Sequence, residues 1–210
     1  MNESLLAIIA GMPVPVRPAD EQLMHAYACG DVRAFEALYD RHATRLWRYV
    51  FKSIGNPEST DELTQEVWFS VARQAGIYRP TATSTDRPRA QFSTWLFTLA
   101  RHRVIDLLRA RRPHVSLDDE PDGGRALAET LAAPSGFGPL SRVETRQRAE
   151  QLLAALDALP AEQREAFLLQ AEGGMGVTEI AAVTGVGHET AKSRLRYARA
   201  ALRRTLENMA

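Results

Sequence analysis

The stretch FSTWLFTLARHRVIDLLRARR, residues Phe92–Arg112, sets a tryptophan and a run of bulky apolar residues directly before and among five arginines, with no glycine or proline to interrupt it. On an α-helix Phe92, Leu96, Ala100, Val104 and Leu107 share one broad apolar side, while Trp95, His102, Asp106 and Arg109 line a neighbouring polar one. Such a helix has a core to pack against and a face left for a partner. Aromatic rings beside cations suit single-stranded nucleic acid, because base stacking gives about 1–3 kcal/mol per base and the cations meet phosphate. An ordinary amphipathic helix with a solvated basic end fits the same residues equally well, so the neighbours must decide. Arg103 falls on the apolar side and must snorkel or pair, with Asp106 as the nearby acid.

Toward the N-terminus, RPTATSTDRPRA (residues 79–90) holds two prolines and four Ser/Thr residues and reads as a loop. From Asp20 to Ala75 the pattern is helical. Phe35, Leu38, Tyr39, Leu46, Tyr49 and Val50 recur at three- and four-residue steps, with no alternating run that would indicate a strand. Gly55, Asn56 and Pro57 break the pattern, and a new helix starts at Ser59, Thr60, Asp61 and Glu62, with Leu63, Val67 and Val71 turned to a core. Toward the C-terminus, Pro113 ends the opening helix. Residues 113–140, rich in proline and glycine and carrying the run Asp118, Asp119 and Glu120, read as an interdomain linker.

A second helical block starts near Ser141, with Leu152, Leu153, Leu156 and Leu159 on its apolar side. Pro160 fits the first turn of the next helix, in which Phe167 and Leu168 pack, and Gly173 and Gly174 close it. The end of the chain, GVTEIAAVTGVGHETAKSRLRYARAAL, has helix-turn-helix spacing: a short helix over Thr178–Val183, glycines at 185 and 187, and a second helix from His188. In that second helix Ala191, Leu195, Ala198 and Leu202 stack, which leaves a cationic face able to enter a major groove. His188, Glu189, Lys192 and Ser193 would approach base edges, while Arg194, Arg196 and Arg199 would hold phosphates.

The whole chain of 210 residues is formally neutral, but its charge is segregated. Residues 101–112 carry five arginines against Asp106, and residues 188–204 carry six Lys/Arg against Glu189; residues 113–150 between them hold seven acids against four arginines. The single cysteine, Cys29, excludes an internal disulfide and fits a reducing compartment. His25 and Cys29 lie four apart, but two ligands do not make a metal site. The apolar opening Leu5–Met12 is too short to span a bilayer and has no basic residue before it, so a cytoplasmic location is expected.

Taken together, these motifs resemble the extracytoplasmic-function (group IV) sigma factors of bacterial RNA polymerase, over roughly Asp20–Leu206. STDELTQEVWFSVAR resembles the region 2.2 helix, which in the family docks on the β′ clamp. FSTWLFTLARHRVIDLLRARR resembles regions 2.3 and 2.4, which melt and hold the minus-ten element. LDALPAEQREAFLLQ with the helix-turn-helix resembles region 4, which reads the minus-thirty-five element. The resemblance implies an all-α chain with an N-terminal extension (residues 1–19), a region 2 domain (20–112), a linker (113–140) and a region 4 domain (141–210).

It also implies that Asp61, Glu62, Gln65, Glu66 and Phe69 bind core polymerase, and that Trp95, Arg101, His102, Arg109 and Arg112 contact minus-ten DNA. His188, Glu189, Lys192, Ser193, Arg194, Arg196 and Arg199 are expected on minus-thirty-five DNA. Its implied partners are core polymerase (β′ clamp and β flap), promoter DNA in duplex and single-stranded form, and an anti-sigma factor that could hold the chain at the membrane. The linker would thread toward the polymerase active-site cleft.

The sequence departs from the family pattern in three places. His102 stands where many members have asparagine, and Ser59 replaces a frequent first aspartate whose charge phosphorylation of Ser59 or Thr60 would restore. The 79–90 loop is also longer than usual. No HExxH, Walker loop or nucleophile elbow is present, so no catalytic residue, metal, cofactor or small-molecule substrate is expected. A conventional helix-turn-helix regulator would explain residues 141–210 but leave Phe92–Arg112 unused. A sigma-like mimic that only sequesters an anti-sigma factor would be free to lose Lys192, Arg194, Arg196 and Arg199, which are all retained.

Overall fold

The structure, a computed structural model, describes residues 17–78, 91–111 and 150–207. The described residues form helices joined by turns, without strands. In chain order these are α1 Asp20–Ala28, α2 Val32–Ile54, α3 Pro57–Gln74, α4 Gln91–Arg111, α5 (150–157), α6 Ala161–Ala171, α7 Val177–Thr184 and α8 His188–Glu207. The N-terminal extension, the 79–90 loop, Arg112 and the linker lie outside the described residues.

The helix boundaries follow local chemistry. α1 and α2 are separated at Gly30, which takes a φ of 100°, and the Asp31 carboxylate caps α2 by accepting from the Arg33 amide at 3.0 Å. At the next break Gly55 adopts a left-handed φ of 73° and its amide reaches the Phe51 carbonyl. The Asn56 side chain then accepts from the Ser59 amide at 2.8 Å. α3 therefore starts at Pro57, two residues before the polar cluster at which the sequence places it, because Asn56 is the cap and Pro57 has no amide to leave unpaired. Pro160 is likewise the N-cap residue of α6 rather than part of its first turn.

α2, α3 and α4 pack as a bundle around Leu38, Leu46, Tyr49 and Val50 of α2, Leu63, Val67 and Val71 of α3, and Phe92, Leu96, Phe97, Ala100 and Val104 of α4, all buried. Two residues depart from the expected faces. Tyr39 is 47% exposed, its ring tilted on Trp68 at 5.0 Å. Arg103 neither snorkels nor pairs with Asp106; its guanidinium lies 3.8 Å from Glu66 on α3. α1 is clamped to the bundle by Asp20, whose carboxylate accepts from Arg41 at 2.7 Å and pairs with His42 at 2.8 Å. Burial works to raise the Asp20 carboxyl, but the hydrogen bonds from His42 and Arg41 outweigh it and hold the group below its ordinary value.

In the C-terminal half, Leu153, Leu156 and Leu159 are buried together with Leu168 and Leu169 of α6, Ile180 of α7, and Ala191, Leu195, Ala198 and Leu202 of α8. α8 is seated on α6 and α7 by this small-residue seam. The apolar interior runs on from the N-terminal bundle into these helices. A smaller apolar contact joins Leu153 to Phe51 and Trp47 of α2.

Candidate functional site

Three faces carry the sequence-predicted residues. On α3, Asp61, Glu62, Gln65, Glu66 and Phe69 are all exposed, forming one stripe opposite buried Leu63, Val67 and Val71. Asp61, Glu62, Gln65 and Phe69 line a groove of about 640 Å³ between α2 and α3 whose other walls include Phe35, Tyr39, Trp47 and Trp68. Phe69 is 59% exposed. Trp47 donates its indole N–H to Asp61 at 2.7 Å, which fixes the carboxylate at the rim. Glu66 does not line the groove; it sits on the flank toward α4, beside Arg103. Sequence reading missed Tyr39 and Trp47. Their signal was an aromatic at each end of an α2 stripe with more apolar residues than one core face can use.

On α4 the predicted residues separate. Trp95 is half-buried, 4.9 Å from the Tyr78 ring and 6.0 Å from Phe92. Burial, with the nearby acids Glu21 and Asp20, pushes the Tyr78 hydroxyl well above its ordinary pKa. Arg101 turns toward the C-terminal half and donates Nε–H to Glu165 of α6 at 2.9 Å, leaving its side chain 15% exposed. His102 faces the other way, into a recess it shares with Ser70, Gln74, Arg103 and Asp106. Arg109 is exposed, and Arg112 lies outside the described residues. Arg111 donates to the Ser59 hydroxyl at 2.7 Å, so the position departing from the family's acidic pattern is held by a cation. The Thr60 hydroxyl is sealed, bonded to the Asn56 carbonyl at 2.7 Å with the residue fully buried, which removes it as a modification target in the folded chain.

α7 and α8 form the expected helix-turn-helix. Gly185 ends α7 with a left-handed φ of 69° that an L-side chain would strain. The Val186 amide bonds the Ala181 carbonyl, and α8 begins at His188. His188, Glu189, Lys192, Arg196 and Arg199 are exposed and Ser193 and Arg194 half-buried, as the spacing of the buried seam requires. Glu189 sits 3.6 Å from Lys192 and 3.4 Å from His188, in exposed pairs worth about 0–1 kcal/mol and easily exchanged. Arg199 is tied to the Gln170 side chain of α6. Arg196 lies over the Tyr197 ring at 4.9 Å and donates to its hydroxyl at 3.1 Å. Tyr197, 53% exposed on this cationic face, was not singled out from sequence.

Cys29 and His25 approach to 4.0 Å on the surface, and no group of three or more metal-ligating side chains occurs among the described residues. Among those residues no helix is long and apolar enough to cross a membrane.

Comparison with known proteins matches these faces to a family. The model for Sigma-70 region 2 matches residues 38–114, and that for Sigma-70 region 4 matches residues 149–202. The ECF RNA polymerase sigma factor SigL of Mycobacterium tuberculosis (strain ATCC 25618 / H37Rv) is 30% identical over 184 residues, covering 87% of this chain and 94% of that protein. SigE of Mycolicibacterium smegmatis is 31% identical over 193 residues, 90% of this chain and 69% of its own length. Among solved structures, CnrH in complex with the cytosolic domain of CnrY is similar with a TM-score of 0.56 and 26% identity, over 92% of this chain and all of that one. With both sigma regions matched in order, and relatives this similar over nearly their full length, the chain belongs to the ECF RNA polymerase sigma factors.

Proposed function

We propose that this chain binds core RNA polymerase through the α3 stripe, anchors on duplex DNA through α8, and captures separated minus-ten bases with Trp95 and the α4 cations. The observation that supports this best is the aromatic groove rimmed by Asp61, Glu62, Gln65 and Phe69. It leaves an apolar ring and several acids unpartnered on the helix that the family uses to meet the β′ clamp. Glu66 contributes from the flank, where it also neutralises Arg103.

At the upstream element, His188, Glu189, Lys192 and Ser193 at the start of α8 meet base edges, and Arg194, Arg196 and Arg199 hold phosphates. At the downstream element, Trp95 offers a ring for an extruded base, offsetting a cost of a few kcal/mol per flipped nucleotide. Arg101, His102, Arg109 and Arg112 supply cations or hydrogen bonds to the same strand. Holding one DNA site raises the effective concentration for the other, so that linker length becomes promoter spacing. The chain itself performs no bond chemistry; polymerase does. A cytoplasmic location and control by a cognate anti-sigma factor that covers the polymerase- and DNA-binding faces complete this reading, supported by the family likeness.

Transcript starts mapped genome-wide after overexpression test it. Starts that share two elements at a fixed separation support the reading, and starts unchanged from the control refute it.

A further inference from the structure

We infer that in the free chain the C-terminal helices act as a self-inhibitory cover on the minus-ten face, with glutamates of α6 and the turn after it standing where DNA phosphates would bind. The inference rests on the sigma-factor reading above and assigns it a closed resting state.

The seam between the halves is charge-sorted. From the N-terminal bundle come cations: Arg48 donates to both oxygens of Glu172 at 3.0–3.2 Å, Lys52 lies 3.5 Å from Asp157, and Arg101 donates to Glu165 at 2.9 Å. Every acid in these pairs belongs to the C-terminal half. Beside them Thr94 of α4 donates its hydroxyl to Glu179 of α7 at 2.6 Å, while the other oxygen of that carboxylate accepts the Gly176 amide. Apolar contact backs the charges, with Leu153 on Phe51 and Trp47. A Cβ at Gly173 would stand 3.4 Å from the Phe97 ring and 2.5 Å from the Leu169 carbonyl, so only glycine permits this approach.

Arg101 is the residue expected to meet the promoter strand, yet its guanidinium is already on a carboxylate and little exposed. Carboxylate and phosphate satisfy a guanidinium with the same charge-assisted hydrogen bonds, so the two compete for one donor. The α3 groove, by contrast, stays open in this closed arrangement, with Phe69 and its acids exposed. Docking to polymerase therefore needs no prior opening. Trp47 links the two features: its N–H holds Asp61 at the groove rim, and its ring stacks on Phe51 at 4.8 Å, against which Leu153 packs.

The test uses the full chain without polymerase. E165Q/E172Q keeps side-chain size and removes the crossing charges; small-angle X-ray scattering reports opening, and fluorescence anisotropy reports binding of a labelled mixed-sequence single strand of about 15 nucleotides. The inference predicts a larger radius of gyration and roughly tenfold tighter DNA binding, the scale of one freed charge-assisted contact. Adding R101Q to the same background should abolish the gain, and R48E/E172R should restore the compact form by exchanging the pair. E36Q/D40N, which removes equal charge from the exposed outer side of α2, controls for net charge. An unchanged radius overturns the inference, as does opening without tighter binding, or an equal gain in the control. None of these readouts depends on promoter-directed initiation, so failure of the sigma-factor reading would show separately, as absence of specific transcription with core polymerase.

Discussion

Replacing Phe69 with alanine is expected to weaken association with core RNA polymerase about 30-fold while leaving the fold intact. The ring is 59% exposed and stands over the α2–α3 groove. A phenylalanine can bury roughly 200 Å², so about 120 Å² is open to a partner, worth about 3 kcal/mol at about 25 cal/mol per Å². Immobilising the ring and imperfect fit at the rim reduce this to about 2 kcal/mol, or about 30-fold in affinity. The folding cost is small because the residue is outside the core, and surface substitutions of this kind fall within about 0.5 kcal/mol. Cys29 is the only cysteine and is exposed, so a dye attached there allows anisotropy titration with sigma-free core polymerase, alongside thermal melting. Val71→Ala, a core truncation on the same helix, should do the reverse, lowering the melting temperature with little loss of affinity while folded. A loss in Phe69→Ala below about threefold, or a loss matched by its melting shift, would refute the reasoning.

Three further outcomes follow from the same geometry. Trp95→Ala is expected to impair open-complex formation by about 1–3 kcal/mol while sparing core binding, measured by permanganate footprinting beside the anisotropy assay; equal loss in both would remove the ring from the DNA. Arg196→Ala should lower the slope of log affinity against log salt for upstream duplex by about one, and an unchanged slope places Arg196 off the phosphates. Asp20→Asn should cost about 1–3 kcal/mol at neutral pH, read by urea unfolding. Because the folded Asp20 carboxyl is held below its ordinary 3.8, its stabilisation is complete above that pH and disappears as pH falls through the lowered value. The gap between wild type and Asp20→Asn should therefore close on acidification; a gap constant with pH contradicts the Asp20–His42–Arg41 cluster.

The helices were legible because periodicity and breakers agree. Leu63, Val67 and Val71, or Ala191, Leu195, Ala198 and Leu202, could face nothing but a core, and Gly55 and Gly185 could only end helices. Tyr39 was misplaced because its spacing fits the core stripe, whereas the α2–α3 geometry leaves it at the mouth of a groove. Arg103 was assigned the wrong partner for a related reason: an acid three residues on is visible in sequence, and Glu66, on a neighbouring helix, is not. The same holds for Arg101, whose partner Glu165 is 64 positions away. Sequence named Arg101 by its type and neighbours, but only packing shows that an internal carboxylate already occupies it.

The central claim is tested most directly by multi-round transcription in vitro, with purified sigma-free core polymerase and a library of genomic fragments, with and without this chain. The account predicts transcripts that appear only when the chain is present and begin at a fixed distance from two shared upstream elements. Equal transcription with and without the chain, at concentrations where it binds core polymerase, would contradict it.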